Sequence, residues 1–178
     1  MVATGRASRD ELRGGTPVEP ACRHRGRPLL PAMPLTLALC LTLVVATTVV
    51  HFEMLKLLSE RLAVSTMAPR RKLVAVVLGT FVAHAAEIAL YAGAIWACIA
   101  LAGVGGLSGS GASLFTSSLY FSAETYTSLG FGDLVPSGPL RLVAGVETLN
   151  GLLLIGWSAS FTYLAMERFW DPKPEPAA

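Results

Sequence analysis

The chain has 178 residues, 53% of them hydrophobic and 15% charged, with a formal net charge of +2. That composition, with its positive mean hydropathy, marks an integral membrane protein. It excludes a nucleic-acid binder, because no basic patch with interleaved aromatics occurs. It also excludes a disulfide framework, since Cys22, Cys40 and Cys98 are odd in number and lack metal-ligand spacing.

Residues 1–33 read as a disordered N-terminal tail. Met1 to Pro28 is rich in Arg, Gly and Pro, with six Arg and three acids and no periodicity. It is too long and too charged to be a signal peptide. Met33 offers an alternative start, in which case the tail would be no part of the protein.

Residues 34–72 form the next unit. Residues 28–50 carry no charge, and about 20 apolar residues suffice to cross the hydrocarbon core. The first transmembrane helix is therefore expected from Leu35 to about Leu58, with His51 and Glu53 in its second half. Lys56 to Lys72 reads as a loop, in which Lys56, Arg61, Arg70, Arg71 and Lys72 outweigh Glu60. Such an excess belongs on the cytoplasmic side.

Residues 73–170 hold two more spans with a polar interruption between them. A second helix is expected from Leu73 to about Ala102, broken only by His84 and Glu87. Gly103 to Ser113 reads as a flexible, uncharged link. A short helix is expected over Ser113 to Tyr126. A third span is expected from Pro139 to about Met166, with proline suited to a helix start. Glu167, Arg168, Phe169 and Trp170 would then anchor it at the interface, before a loose tail at 171–178.

Between the last two helices lies Thr127-Ser-Leu-Gly-Phe-Gly-Asp133, preceded by Ser122-Ala-Glu-Thr and followed by Pro136. It is too polar and too short to cross a bilayer. Gly130 and Gly132 allow the alternating, partly left-handed dihedrals that aim consecutive carbonyls along one axis. This stretch resembles the selectivity filter of potassium channels, whose pattern is Thr-Thr-Val-Gly-Tyr-Gly-Asp. Residues from about Leu73 to Met166 resemble the two-helix pore domain of the bacterial potassium-channel family, here preceded by one extra helix.

The resemblance implies an all-α integral membrane fold: three transmembrane helices, with a re-entrant pore helix and filter loop between the second and third. It implies that Thr127, Ser128, Leu129, Gly130, Phe131 and Gly132 bind the ion through carbonyl oxygens. Glu124 and Asp133 would support the filter by bonding to each other behind it. Two carboxyl groups so close cannot both ionise cheaply, so one would hold a proton and filter stability would depend on pH. Gly151 aligns with the inner-helix glycine at which family members bend, although close packing explains it equally well. Asn150 would face the central cavity and hold hydrated ions. Ser128, Leu129 and Phe131 depart from the pattern. Their carbonyls survive, but Phe131 lacks the hydroxyl that braces the filter.

The remaining intramembrane ionisable groups should face protein or water. In an antiparallel hairpin His51 and His84 fall at similar depth, and Glu87 lies one turn from His84. They read as a satisfied polar cluster, a pH sensor or a metal site. Glu147 would pair with Arg141 or with a donor on the pore helix.

The expectation is thus a potassium-selective channel, passive and no enzyme, with K+ as permeant ion and no cofactor. Its partners would be the lipid bilayer and three further copies of itself in a homotetramer, with no nucleic acid. It would be a multi-pass protein of the cell's inner (plasma) membrane with a cytoplasmic C-terminus. The alternatives are a non-conducting or weakly selective relative serving as a subunit, and a membrane metalloenzyme built on His51, His84 and Glu87.

Overall fold

The computed structural model describes residues 32–109 and 113–170. The expected N-terminal tail with Cys22, the middle of the Gly-rich link and the C-terminal tail lie outside the described residues. The elements follow as α1 (Ala32–Ala63), α2 (Pro69–Ala100), β1 (Gly106–Ser108), α3 (Leu114–Tyr126), β2 (Val135–Ser137) and α4 (Leu140–Trp170).

Three helices are long and apolar enough to cross a membrane: Met33–Ala63, Pro69–Ala100 and Leu140–Phe169. The 13 residues of α3 reach only about 20 Å at 1.5 Å per residue, short of the ~30 Å hydrocarbon core. The protein is therefore an all-α, multi-pass membrane protein with a short helix between its second and third spans.

The ends of the three long helices differ from the sequence expectation. The basic loop shrinks to residues 64–68, because α1 runs on to Ala63 and α2 begins at Pro69. Lys and Arg are good helix formers whose long side chains reach water from a helix end, and Pro69 suits the first helical position. Likewise α4 continues through Glu167–Trp170 rather than ending at Met166. The link after α2 is not wholly loose. Its Gly106–Ser108 pairs antiparallel with Val135–Ser137, in the register Gly106 to Ser137 and Ser108 to Val135.

The outer face of the molecule is apolar, and polar groups are gathered inside beside an apolar core. Leu41, Phe81, Leu101 and Leu153 are exposed, whereas Thr47, His51, Glu87, Glu147, Asn150 and Ser158 are buried. Backbone bonds are satisfied within each helix, so lipid can cover the outer face. On α1 the buried positions Cys40, Leu43, Thr47, His51, Leu55 and Leu62 recur at helical spacing and form one stripe. That stripe packs on α2 and α4. The larger core joins Cys40 and Leu43 of α1 to Tyr91 and Ile95, Phe121 and Tyr126, and Leu140 and Val143. A smaller cluster at the other end holds Leu62, Val76 and Ala165.

Candidate functional site

The site is built on the end of α3. Ser113 starts this helix as a cap, its side chain accepting the Thr116 amide at 3.3 Å. At the other end the last carbonyls have no intrahelical partners, and the following loop supplies them. The Thr127 amide donates to Ala123 O at 3.2 Å, Ser128 to Thr125 O at 3.0 Å, and Leu129 and Gly130 to Glu124 O at 2.8 and 3.3 Å. Phe131 then donates to the Glu124 side chain, at Oε2, at 3.2 Å.

Each trans peptide unit points its carbonyl opposite to its amide. With the amides of Ser128 to Phe131 all drawn onto α3, the carbonyls of Thr127, Ser128, Leu129 and Gly130 are turned away from it. Backbone φ is positive at alternate residues, +56° at Ser128, +54° at Gly130 and +78° at Gly132. Glycine takes this region freely, while Ser128 holds it at a cost. Residues 127–133 are exposed in the subunit, so this row of oxygens lies on an open face. All six residues expected to bind the ion fall in this loop.

Glu124 does not bond to Asp133. It is buried and holds the Phe131 amide, whereas exposed Asp133 accepts from the Leu134 amide at 3.1 Å and the Tyr120 hydroxyl at 3.4 Å. The proton shared between the two carboxyl groups, expected from the resemblance, has no geometric basis here. Glu124 supports the loop by a different bond.

Behind the loop the structure brings His51, His84 and Glu87 together. His51 Nδ1 lies 2.8 Å from Glu87 Oε1, and His84 Nδ1 lies 3.1 Å from Oε2. The Tyr126 hydroxyl donates to Oε2 as well and lies 3.0 Å from His84 Nδ1. His51 Nε2 meets Ser158 Oγ at 3.2 Å. The ligating atoms of the three residues lie within 4.8 Å of one another, a set that could hold a divalent metal. Both Glu87 oxygens already accept hydrogen bonds, so a metal would have to displace them.

Three further expectations resolve. Asn150 does not face a cavity: it is buried, and its Nδ2 donates to Thr47 Oγ1 at 2.8 Å and Tyr91 Oη at 3.2 Å. It turns towards α1 and α2 and joins them to α4. Gly151 is a packing residue in an unbroken α4, since a Cβ there would lie 2.2 Å from Tyr126 O. Glu147 takes the partner on the short helix, its Oε1 meeting the Ser122 hydroxyl, and Ser122 Oγ also lies 2.9 Å from Ile88 O. Tyr126, Thr47 and Ser158 were not anticipated. The spacing of Thr47 and His51, one turn apart beside Leu43, could have shown a polar face on the first helix.

No curated protein and no solved structure matches the chain. A family model described as ion channel does match, over residues 72–168, from the first turn of α2 to the last of α4. The match covers just over half of the chain and takes in the whole carbonyl-bearing loop with the helices that hold it. The chain belongs to the ion channel family.

Proposed function

We propose that the protein conducts potassium ions passively, through a filter that four copies of the Thr127–Gly132 loop close around one axis. The observation that carries this reading is the run of four amides, Ser128 to Phe131, tied back onto α3. It leaves four successive carbonyls free to replace the water around a dehydrating cation. One subunit supplies one wall of such a ring, so the pore needs a closed homotetramer. Leu129 and Phe131, 58% and 67% exposed in the subunit, would be covered by neighbouring copies. Five basic residues around the α1–α2 turn favour a cytoplasmic place for it. The filter then faces outward, and the C-terminus is cytoplasmic.

Flux through purified protein in liposomes tests the reading. Potassium flux should exceed sodium flux under the same gradient, and Gly130→Ala should abolish the difference. A Cβ at Gly130 meets nothing within 4 Å in the subunit, yet φ there is +54°, so the change acts on the backbone of the loop. A tetrameric protein that passes neither ion across a range of pH would overturn the proposal.

A further inference from the structure

We propose that His51, on the helix preceding the matched family span, is a positioning residue for ion conduction. It acts through Glu87 on Tyr126, the residue from which the carbonyl-bearing loop departs. The inference rests on the channel reading above.

The path is short and closed to water. His51, Glu87 and Tyr126 are each 0% exposed. The imidazole Nδ1 holds Glu87 Oε1 at 2.8 Å, and the Tyr126 hydroxyl donates to the other oxygen of the same carboxyl group. Tyr126 is the last residue of α3 and directly precedes Thr127. The carbonyls that hold the loop amides belong to Ala123, Glu124 and Thr125, in the same helical turn. His51 is itself fixed from the far side by Ser158 of α4 at 3.2 Å. Its ring lies 5.2 Å from that of His84 and 5.3 Å from that of Trp157. The groups facing it are therefore Glu87 and His84 from α2, and Ser158 and Trp157 from α4.

A carboxyl group in apolar surroundings must keep its hydrogen-bond donors. Without His51, Glu87 Oε1 loses its donor and the carboxyl group must turn to find another. That turn disturbs the oxygen on which Tyr126 hangs. Filter oxygens need placement within a fraction of an ångström, which only a supporting shell with fixed partners provides. A helix that merely glued the bundle together would act differently, because α1 is held to α4 independently through Thr47 and Asn150, a contact that does not include Glu87.

Full-length protein in liposomes decides between these roles, with the potassium-to-sodium permeability ratio as readout and thermal unfolding in parallel. Wild-type flux in the same vesicles tests the channel reading by itself, so its failure is distinguishable from failure of this inference. His51→Ala and the nearly isosteric Tyr126→Phe should each lower the ratio by roughly threefold to tenfold, as for loss of one hydrogen bond. The double variant should lower it no further, as expected within one network. His51→Asn, whose amide nitrogen falls near the place of Nδ1, should restore it. Thr47→Val should lower stability and leave the ratio unchanged. An unchanged ratio in Tyr126→Phe overturns the inference even if His51→Ala does not assemble. So does an equal loss in Thr47→Val, or losses that multiply in the double variant.

Discussion

Alanine at Gly151 should destabilise the protein where alanine at Gly156 does not. A Cβ on Gly151 would lie 2.2 Å from Tyr126 O and 3.0 Å from both its carbonyl carbon and its Cγ; at Gly156 nothing lies within 4 Å. Both glycines sit inside α4, so the gain in helix propensity, about 1 kcal/mol, is common to the two changes and cancels between them. What remains is the contact. Tyr126 cannot swing aside, because its hydroxyl is bonded to Glu87 and the adjacent Thr125 carbonyl accepts Thr148 Oγ1 at 3.1 Å. Relief requires α4 to retreat from α3 by about 1 Å, in a close-packed interior with no slack to absorb it. Overpacking of this kind costs about 1–3 kcal/mol, and Gly151→Ala should be less stable than Gly156→Ala by that amount. Reversible unfolding in mixed micelles, followed by circular dichroism, reads the difference from the midpoints if the slopes agree. Equal stability of the two variants would refute the packing argument and return Gly151 to the role of a hinge.

Glu124→Ala should weaken the loop more than Glu124→Gln. The alanine leaves the Phe131 amide without its acceptor, at a cost of about 1–3 kcal/mol, whereas the glutamine carbonyl can still accept it. The permeability ratio in liposomes should fall in that order, and equal ratios would show that the Glu124 bond does not hold the loop. Asn150→Ala should lower stability by about 1–3 kcal/mol, because it strips a partner from Thr47 and Tyr91. Single-channel conductance should not change, and an altered conductance at unchanged stability would place Asn150 in the ion path after all.

The spans were legible because hydropathy and length decide them, and the loop because its glycines fall where the backbone needs positive φ. The start of α3 was expected near Ser113 from its place before the filter-like stretch, and the cap bond from the Thr116 amide to the Ser113 side chain fixes it there. Asn150 was misplaced because helical periodicity gives the angle between two residues, not which neighbour each one faces. The first helix, absent from the resemblance, covers the side of α4 that carries Asn150 and Ser158. The expected Glu124–Asp133 bond came from the family pattern alone, and residue types at matching positions do not fix which polar atoms meet. The β1–β2 pairing left no trace in a link of Gly and Ser without alternation. The His51–His84–Glu87 cluster was legible, since three costly groups at one depth have few places to go. Its reach to Tyr126 was not.

The small β1–β2 ribbon turns the segment between its strands into a lasso. Three residue pairs close the ends of the segment that carries α3 and the carbonyl-bearing loop, while α3 is also bonded into the bundle through Ser122 and Tyr126. The entropy of closing such a loop grows only slowly with its length, so what matters is whether the knot holds, not how much chain it encloses. The knot is tight at Gly109, where φ is +144° and a Cβ would lie 2.1 Å from Asp133 O. A residue well before that loop in sequence thus lies close against the backbone at its far end. A side chain at Gly109 should therefore be felt at the Asp133 backbone as sharply as a substitution within the loop itself.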